Sequence, residues 1–168
     1  MQNPAYLYTE EVTSKRTTLF FIFLTCVFLF LMIYRLGQKP IDGLSIILGL
    51  CALVFTFYAI NFRVLSICLS KQELMLSFGL FTWVVPIANI ADAQLDHLPF
   101  FMQYGGAGIH FMFIRKRYRV SFNFLEHPRV AIALKKKTGP VQDISFSTCH
   151  PEEIIGQIRR ALAFLLLR

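Results

Sequence analysis

Residues 17–34, TTLFFIFLTCVFLFLMIY, and residues 43–61, GLSIILGLCALVFTFYAIN, decide how this chain is organised. Neither stretch contains a charged residue. As a helix the first stretch is about 27 Å long, close to the roughly 30 Å hydrocarbon core of a bilayer. Because apolar residues occupy every side of both stretches, neither helix has a face suited to water. We therefore predict two transmembrane helices rather than two core helices of a soluble protein, since the remaining chain is too short to cover them.

The link between the two stretches predicts an antiparallel hairpin. Residues 35–42 include Gly37 and Pro40, which both break helices, so both chain ends lie on one side of the membrane. The basic residues that flank those ends outnumber the basic residues of the link: Lys15, Arg16, Arg63 and Lys71 against Arg35 and Lys39. The positive-inside bias then predicts cytoplasmic termini in the cell membrane. A cleaved signal peptide is the alternative, but no site of small residues follows Tyr34.

The chain beyond Arg63 reads as a folded β domain. Apolar residues alternate with polar ones, which predicts about seven short strands in an antiparallel barrel or sandwich. Pro86 interrupts the third strand and suits an edge or a bulge. The predicted strands cover residues 65–69, 73–78, 83–90, 109–114, 118–124, 130–134 and 141–147.

A helix over residues 151–167 closes the chain. Pro151 suits its first position, and the acidic residues that follow complement the positive end of the helix dipole. One apolar stripe is predicted to cover the open mouth of the barrel: Ile154, Ile155, Ile158, Leu162 and Leu165.

Three segments resemble bacterial pleckstrin-homology-like domains. Residues 70–90 (SKQELMLSFGLFTWVVPIANI) resemble the first hairpin of these domains, and residues 147–154 (STCHPEEI) resemble the start of their last helix. Residues 104–110 (YGGAGIH) are similar to a Tyr-Gly-Gly-Trp-Gly-Ile motif, with Ala107 in place of tryptophan. Two preceding transmembrane helices are common in such proteins.

The resemblance implies a membrane-anchored α+β protein. Residues 1–16 are expected to be an N-terminal cytoplasmic segment, and residues 17–62 a transmembrane hairpin. Residues 63–168 are expected to form a pleckstrin-homology-like domain, a seven-strand antiparallel barrel capped by a C-terminal helix.

Basic and aromatic residues in the strand connections are the candidate lipid- or partner-binding residues. If the strands form a simple meander, residues 79–82, 115–117 and 135–140 all return to the membrane. Each lysine or arginine near an anionic bilayer contributes about 1 kcal/mol. Solvated turn residues are an equally weighted alternative. The candidates are Arg115, Lys116, Arg117, Arg119, Lys135, Lys136 and Lys137, with an aromatic corner that contains Phe81 and Trp83.

The sequence contains no recognisable catalytic, metal-binding or cofactor-binding pattern. Gly105, Gly106 and Gly108 lack the lysine and hydroxyl residue of a phosphate loop, so we interpret them, with Gly79, as structural bends. No paired spacing links the four cysteines, which excludes a zinc motif or a disulfide framework. The nearest approach to an acid–base or metal cluster, interpreted as solvated polar residues, is Asp92, Asp96, His97 and His110.

Together these patterns predict a non-catalytic integral membrane protein that requires no cofactor or metal. Its domain is expected at the cytoplasmic face, where it serves protein–protein interaction or the organisation of a membrane complex. The alternative is binding of anionic lipid headgroups by the basic turns. A remote alternative is an enzyme, which would need a polar pocket lined by Asp92, His97 and His110. The expected partners are the bilayer and a protein, not nucleic acid, and homo-oligomerisation is left open.

Overall fold

The computed structural model describes residues 6–97, 108–114, 116–124 and 126–166. Two long apolar helices are followed by two β-sheets and a C-terminal helix, so the predicted α+β order is confirmed. The helices are α1 (Lys15–Gln38), α2 (Gly43–Asn61) and α3 (Pro151–Leu166). The strands are β1 (Tyr8–Thr13), β2 (Val64–Leu69), β3 (Glu73–Phe78), β4 (Phe81–Pro86), β5 (Ile90–Leu95), β6 (Gly108–Ile114), β7 (Arg117–Asn123), β8 (Arg129–Thr138) and β9 (Val141–Ser147).

Helices α1 and α2 form the predicted hairpin. Ser14 caps α1 by accepting a hydrogen bond from the Thr17 backbone N–H, and Asp42 caps α2 in the same way. Small residues let the two helices approach closely, as at Gly49, where a Cβ would lie 3.1 Å from Met32 Sδ. Aromatic rings fill the remaining space, with Phe28 and Phe55 stacked at a centroid distance of 5.3 Å.

The first sheet has the order β1-β2-β3-β4, with every neighbouring pair antiparallel. Strand β1 precedes the hairpin in sequence and β2 follows it, yet the two strands pair along their whole length. Val12 lies opposite Leu65, and both side chains are fully buried. Sequence analysis did not predict β1, because Glu10 and Glu11 interrupt its short apolar alternation.

The second sheet has the order β5-β8-β9-β7-β6, in which β7 and β9 are parallel. The second sheet is therefore not a simple antiparallel meander, which was the condition for placing the later turns at the membrane. Strand β9 inserts between β7 and β8, where its apolar side chains Ile144 and Phe146 are fully buried. The seven-strand closed barrel is also not observed, since the described residues form nine strands in two open sheets.

The predicted third strand over residues 83–90 divides in two at Pro86. Strand β4 ends at this proline, which has no backbone N–H for a further ladder hydrogen bond. A 3₁₀ turn over Ile87–Asn89 follows, and the chain then enters the second sheet as β5. This turn is one reason why strand counting along the sequence misplaces the later connections.

The core lies between the two sheets and under α3. Ile154, Ile158 and Ala161 form the buried face of α3, which packs mainly on β5 and the 3₁₀ turn. Leu165, predicted to lie on that face, is instead exposed, and Ala161 takes part in the contact. Four fully buried rings from β3, from the end of β7 and from β9 complete the core: Phe78, Phe122, Phe124 and Phe146.

Candidate binding surfaces

The C-terminal end of α2 is bonded directly to the turn between β3 and β4. The side-chain oxygen of Asn61 accepts a hydrogen bond of 2.9 Å from the Leu80 backbone N–H. Gly79 has a φ of 58°, and a Cβ there would lie 2.3 Å from the Asn61 carbonyl oxygen. Only glycine fits this close approach. The turn and the helix end are therefore held together as one joint.

A large groove opens beside this joint, between α2, β4 and β6. Its volume is about 1040 Å³, which is the size of a site for a drug-sized or larger ligand. None of the described residues that line it carries a charge. We call it the apolar groove; its rim and walls include Leu53, Phe57, Ile60, Leu80, Phe81, Trp83 and Phe111.

Large apolar side chains remain exposed along the apolar groove. Leu80 is 82% exposed and Phe111 is 54% exposed. Strands β4 and β6, which carry the two walls, are each the last strand of their sheet. A contiguous apolar surface of this kind marks a binding or membrane-contact site in a folded protein.

The aromatic corner and the lysine turn (residues 135–140) lie at opposite ends of β4. Phe81 and Trp83 line the apolar groove at the end of α2. The Asn89 side chain, in contrast, bonds the Lys136 backbone at 2.8 and 3.0 Å. Asn89 follows β4, whose length of about 17 Å separates it from the Gly79 turn. The placement of residues 135–140 beside the membrane is therefore wrong, because it assumed a meander.

Two of the three described basic residues at and after the β6–β7 turn are engaged in ion pairs. Arg117 donates to both carboxylate oxygens of Asp143, and these hydrogen bonds raise the pKa of the Arg117 guanidinium. Arg119 is buried and contacts Asp96 at 2.8 Å. Lys116 is exposed at the turn, with a φ of 65°, and Arg115 lies outside the described residues.

Gly108 has a structural role like that of Gly79. Its φ is 92°, and a Cβ there would lie 2.9 Å from the ring of Phe62. The first residue of β6 thus lies against the start of the domain. Gly105 and Gly106 lie outside the described residues.

The predicted acid–base candidates do not form one cluster. A small pocket of about 150 Å³ is lined by Asp92 together with Arg117, Arg119 and Asp143, but by neither His97 nor His110. Among the described residues, no group of three histidines, cysteines or acids could hold a metal ion.

His110 is isolated from these acids on β6. Both of its ring nitrogens are buried without a hydrogen-bond partner. Burial, together with the nearby charge of Arg129, lowers the pKa of His110. This histidine is therefore held in its neutral form in the folded protein.

Sequence analysis missed one contact between potentially reactive groups. Cys149 Sγ lies 3.7 Å from Nδ1 of His127, a residue 22 positions earlier in the chain, so spacing alone gave no signal. Burial, and then the neighbouring Glu10, raise the pKa of the Cys149 thiol, which disfavours the nucleophilic thiolate. The Cys149 backbone N–H also donates to Glu10 at 2.7 Å. We interpret this group as a structural tie between β1 and the start of α3.

Both helices of the hairpin are long and apolar enough to cross a membrane. Only 6% of the most apolar window of α1 and 17% of that of α2 is buried inside the protein. The core helix of a soluble protein would instead be mostly buried. Comparisons of the chain with protein-family models, with curated proteins and with solved structures gave no match. The resemblance to bacterial pleckstrin-homology-like domains therefore stays a prediction.

Proposed function

We propose that this chain is a non-catalytic integral membrane protein that binds an uncharged, apolar segment of another membrane protein in the apolar groove. The two helices of the hairpin cross the cell membrane, and the β domain stands at its cytoplasmic face. The observation that carries the proposal is the uncharged groove of about 1040 Å³ where α2 meets the domain.

Two features of the hairpin support the membrane location. Most of its apolar surface is uncovered by protein, so lipid is the solvent that suits it. The segment before α1 also forms β1, in which Val12 is fully buried in the domain core. Removal of α1 as a signal peptide would remove this strand as well, which argues for a retained anchor. The four-to-two bias of flanking basic residues supports the cytoplasmic orientation.

The shape of the apolar groove favours an apolar protein segment as its occupant. Leu53, at one end of the groove, lies about 12 Å along α2 from Asn61, well within the proposed hydrocarbon depth. Leu80 and Phe111 line the part of the groove that belongs to the domain. A partner must therefore be apolar both inside the bilayer and just outside it. A segment that leaves the membrane beside α2 meets this requirement.

Binding of anionic headgroups by the basic turns receives less support. The lysine turn lies about 17 Å along β4 from the helix end. Arg117 and Arg119 are already paired with Asp143 and Asp96. Charges that are committed to internal pairs offer little to a lipid headgroup.

Site-specific photo-crosslinking in native membranes tests the proposal. A photoreactive phenylalanine analogue at Leu80 or Phe111 should form an adduct with one discrete membrane protein, because both side chains are exposed on the apolar groove. The matched control is the same analogue at Phe164, which is 71% exposed on α3 but does not line the groove. The double substitution Leu80→Ser and Phe111→Ser should weaken co-purification of that protein at least about tenfold.

The fluorescence of Trp83, the sole tryptophan of the chain, gives an independent measurement of whether the apolar groove is occupied. Its fluorescence should become protected from a soluble quencher when the partner is bound. Two results contradict the proposal: adducts with lipid only, or the same protein adduct from Phe164 as from the groove positions. Quenching of Trp83 by brominated lipid in the purified chain would point to a lipid chain as the occupant.

A further inference from the structure

The strand ends opposite the hairpin meet at one end of the domain. The Ile87 backbone N–H donates to Gln72, in the turn between β2 and β3, at 2.8 Å. Two residues later, Asn89 bonds the backbone of Lys136 near the end of β8. The β2–β3 turn and the β8–β9 turn are therefore neighbours.

The β6–β7 turn lies at the same end of the domain, beside the start of β9. Arg117, which follows the β6–β7 turn, donates to the Gln142 carbonyl at 3.2 Å, one residue into β9. The other end of β8, in contrast, is tied to the hairpin. There His127 lies 2.9 Å from the Thr13 carbonyl, and Glu126 contacts Arg16 at 3.2 Å. The three turns thus share the end of the domain that lies away from α1 and α2.

Exposed lysines dominate this end, which we call the basic end: Lys71, Lys116, Lys135, Lys136 and Lys137. Two exposed acids lie close to them along the strands: Glu73 is two residues after Lys71, and Asp92 is opposite Ala133, two residues before Lys135. Asp143 is buried and already paired with Arg117. Positive charge therefore remains in excess on this surface, and it faces away from the bilayer that holds the hairpin.

Residue types at the basic end distinguish among anionic partners. Among the described residues of these turns the exposed cations are lysines, which act as point charges, whereas planar recognition of phosphate favours the guanidinium fork of arginine. Arg117 has its fork occupied by Asp143. Single-stranded nucleic acid is bound by successive aromatic rings, but Phe113 is the one strongly exposed ring among the described residues beside the β6–β7 turn.

We propose that the basic end binds an acidic polypeptide segment of a partner protein. Carboxylates along a flexible chain can meet lysines on separate turns without a preformed pocket, as electrostatic complementarity requires. The surface lies apart from the apolar groove, so this inference stands independently of the function proposed above. The domain then has two partner-binding ends, one apolar and one cationic.

The experiment uses the full chain in nanodiscs of zwitterionic lipid, with a fluorescent oligoglutamate peptide as the probe. We expect salt-sensitive binding that falls as ionic strength rises from about 0.1 M to about 1 M, where the Debye length shrinks to roughly 3 Å. Lys136→Ser with Lys137→Ser should weaken this binding about fivefold. The matched control, Lys39→Ser with Lys15→Ser, removes two exposed lysines at the ends of α1 and should change it less than about twofold.

Three results would overturn the inference. Binding could be absent at low salt, or the control variant could weaken it as much as the variant of the basic end. Vesicles that contain phosphatidylglycerol, or an oligothymidylate, could also bind at least as tightly as the peptide at the same ionic strength. Unchanged circular dichroism of each variant establishes that a loss of binding does not reflect unfolding, since the substituted side chains are exposed.

Discussion

At the hairpin end of the domain, Asn61 bonds a neighbouring turn from a buried position, while at the basic end Asn89 bonds a neighbouring strand from the surface. The same strands run between the two ends. Around Asn61, aromatic rings exclude water, and the ring centroids of Phe62 and Phe78 are 5.0 Å apart. Around Asn89, lysines keep the chain in solvent. The difference teaches that one end is a packed joint with the helices, whereas the other is a solvated surface.

The largest expected difference between the two ends is that between two glycines with the same left-handed conformation. Gly79 at the joint and Gly139 at the basic end have φ values of 58° and 60°. A Cβ at Gly79 would overlap Asn61, whereas a Cβ at Gly139 meets nothing within 4 Å. We expect Gly79→Ala to lower the free energy of unfolding by about 3 kcal/mol or more, and Gly139→Ala by about 1 kcal/mol.

Urea unfolding of both glycine variants in micelles, followed by Trp83 fluorescence, measures this difference. Equal losses in the two variants would show that the close approach of the β3–β4 turn to α2 has no energetic weight. The backbone conformation alone would then account for both effects.

A smaller effect is expected from the two asparagines. Asn61→Ala removes a buried side chain whose oxygen accepts the part-buried hydrogen bond from the Leu80 backbone N–H, which costs about 2 kcal/mol. Asn89→Ala frees the Lys136 backbone at the surface, where water replaces the lost bonds, so we expect about 0.5 kcal/mol. The same unfolding measurement compares them. An Asn89→Ala loss as large as that of Asn61→Ala would erase the proposed distinction between the ends.

The smallest expected effect is the pH dependence of stability that arises from His110 on β6. His110 follows Gly108 by two residues, and its folded-state pKa lies below the ordinary value of 6.5. Below about pH 6.5 the unfolded chain therefore binds more protons, so stability falls as pH decreases toward the folded-state pKa. His110→Phe should flatten this part of the stability profile. An unaltered profile in His110→Phe would remove His110 as its source.

The sequence predicted the elements of the fold better than their arrangement. Continuous apolar runs identified both helices of the hairpin, and Pro151 with its following acids marked the start of α3. Strand positions from β6 to β9 also followed from alternation. The order of the second sheet did not, because the insertion of β9 between β7 and β8 depends on long-range pairing that leaves no local pattern.

For the candidate sites, too, the sequence predicted local positions better than long-range contacts. Phe81 and Trp83 lie beside the end of α2 because the β3–β4 turn is only one short hairpin away from that helix; their contact with the bilayer stays a prediction. The lysine turn was misplaced because the chain changes sheets at the 3₁₀ turn after Pro86. The pairing of Arg119 with Asp96 joins residues 23 positions apart, one on β7 and one just after β5, so no sequence spacing could identify it.

Strand β1 has a consequence for biosynthesis. It leaves the ribosome before α1, but its partner β2 appears only after α2, some fifty residues later. Until then its edge is unpaired, and closing so long a segment carries an entropic cost. The first sheet can be completed only once α2 has returned the chain to the place where α1 began. Pairing of β1 with β2 therefore requires both ends of the hairpin on one side, and a chain that fails to pair them would leave the edge of β1 exposed to proteases.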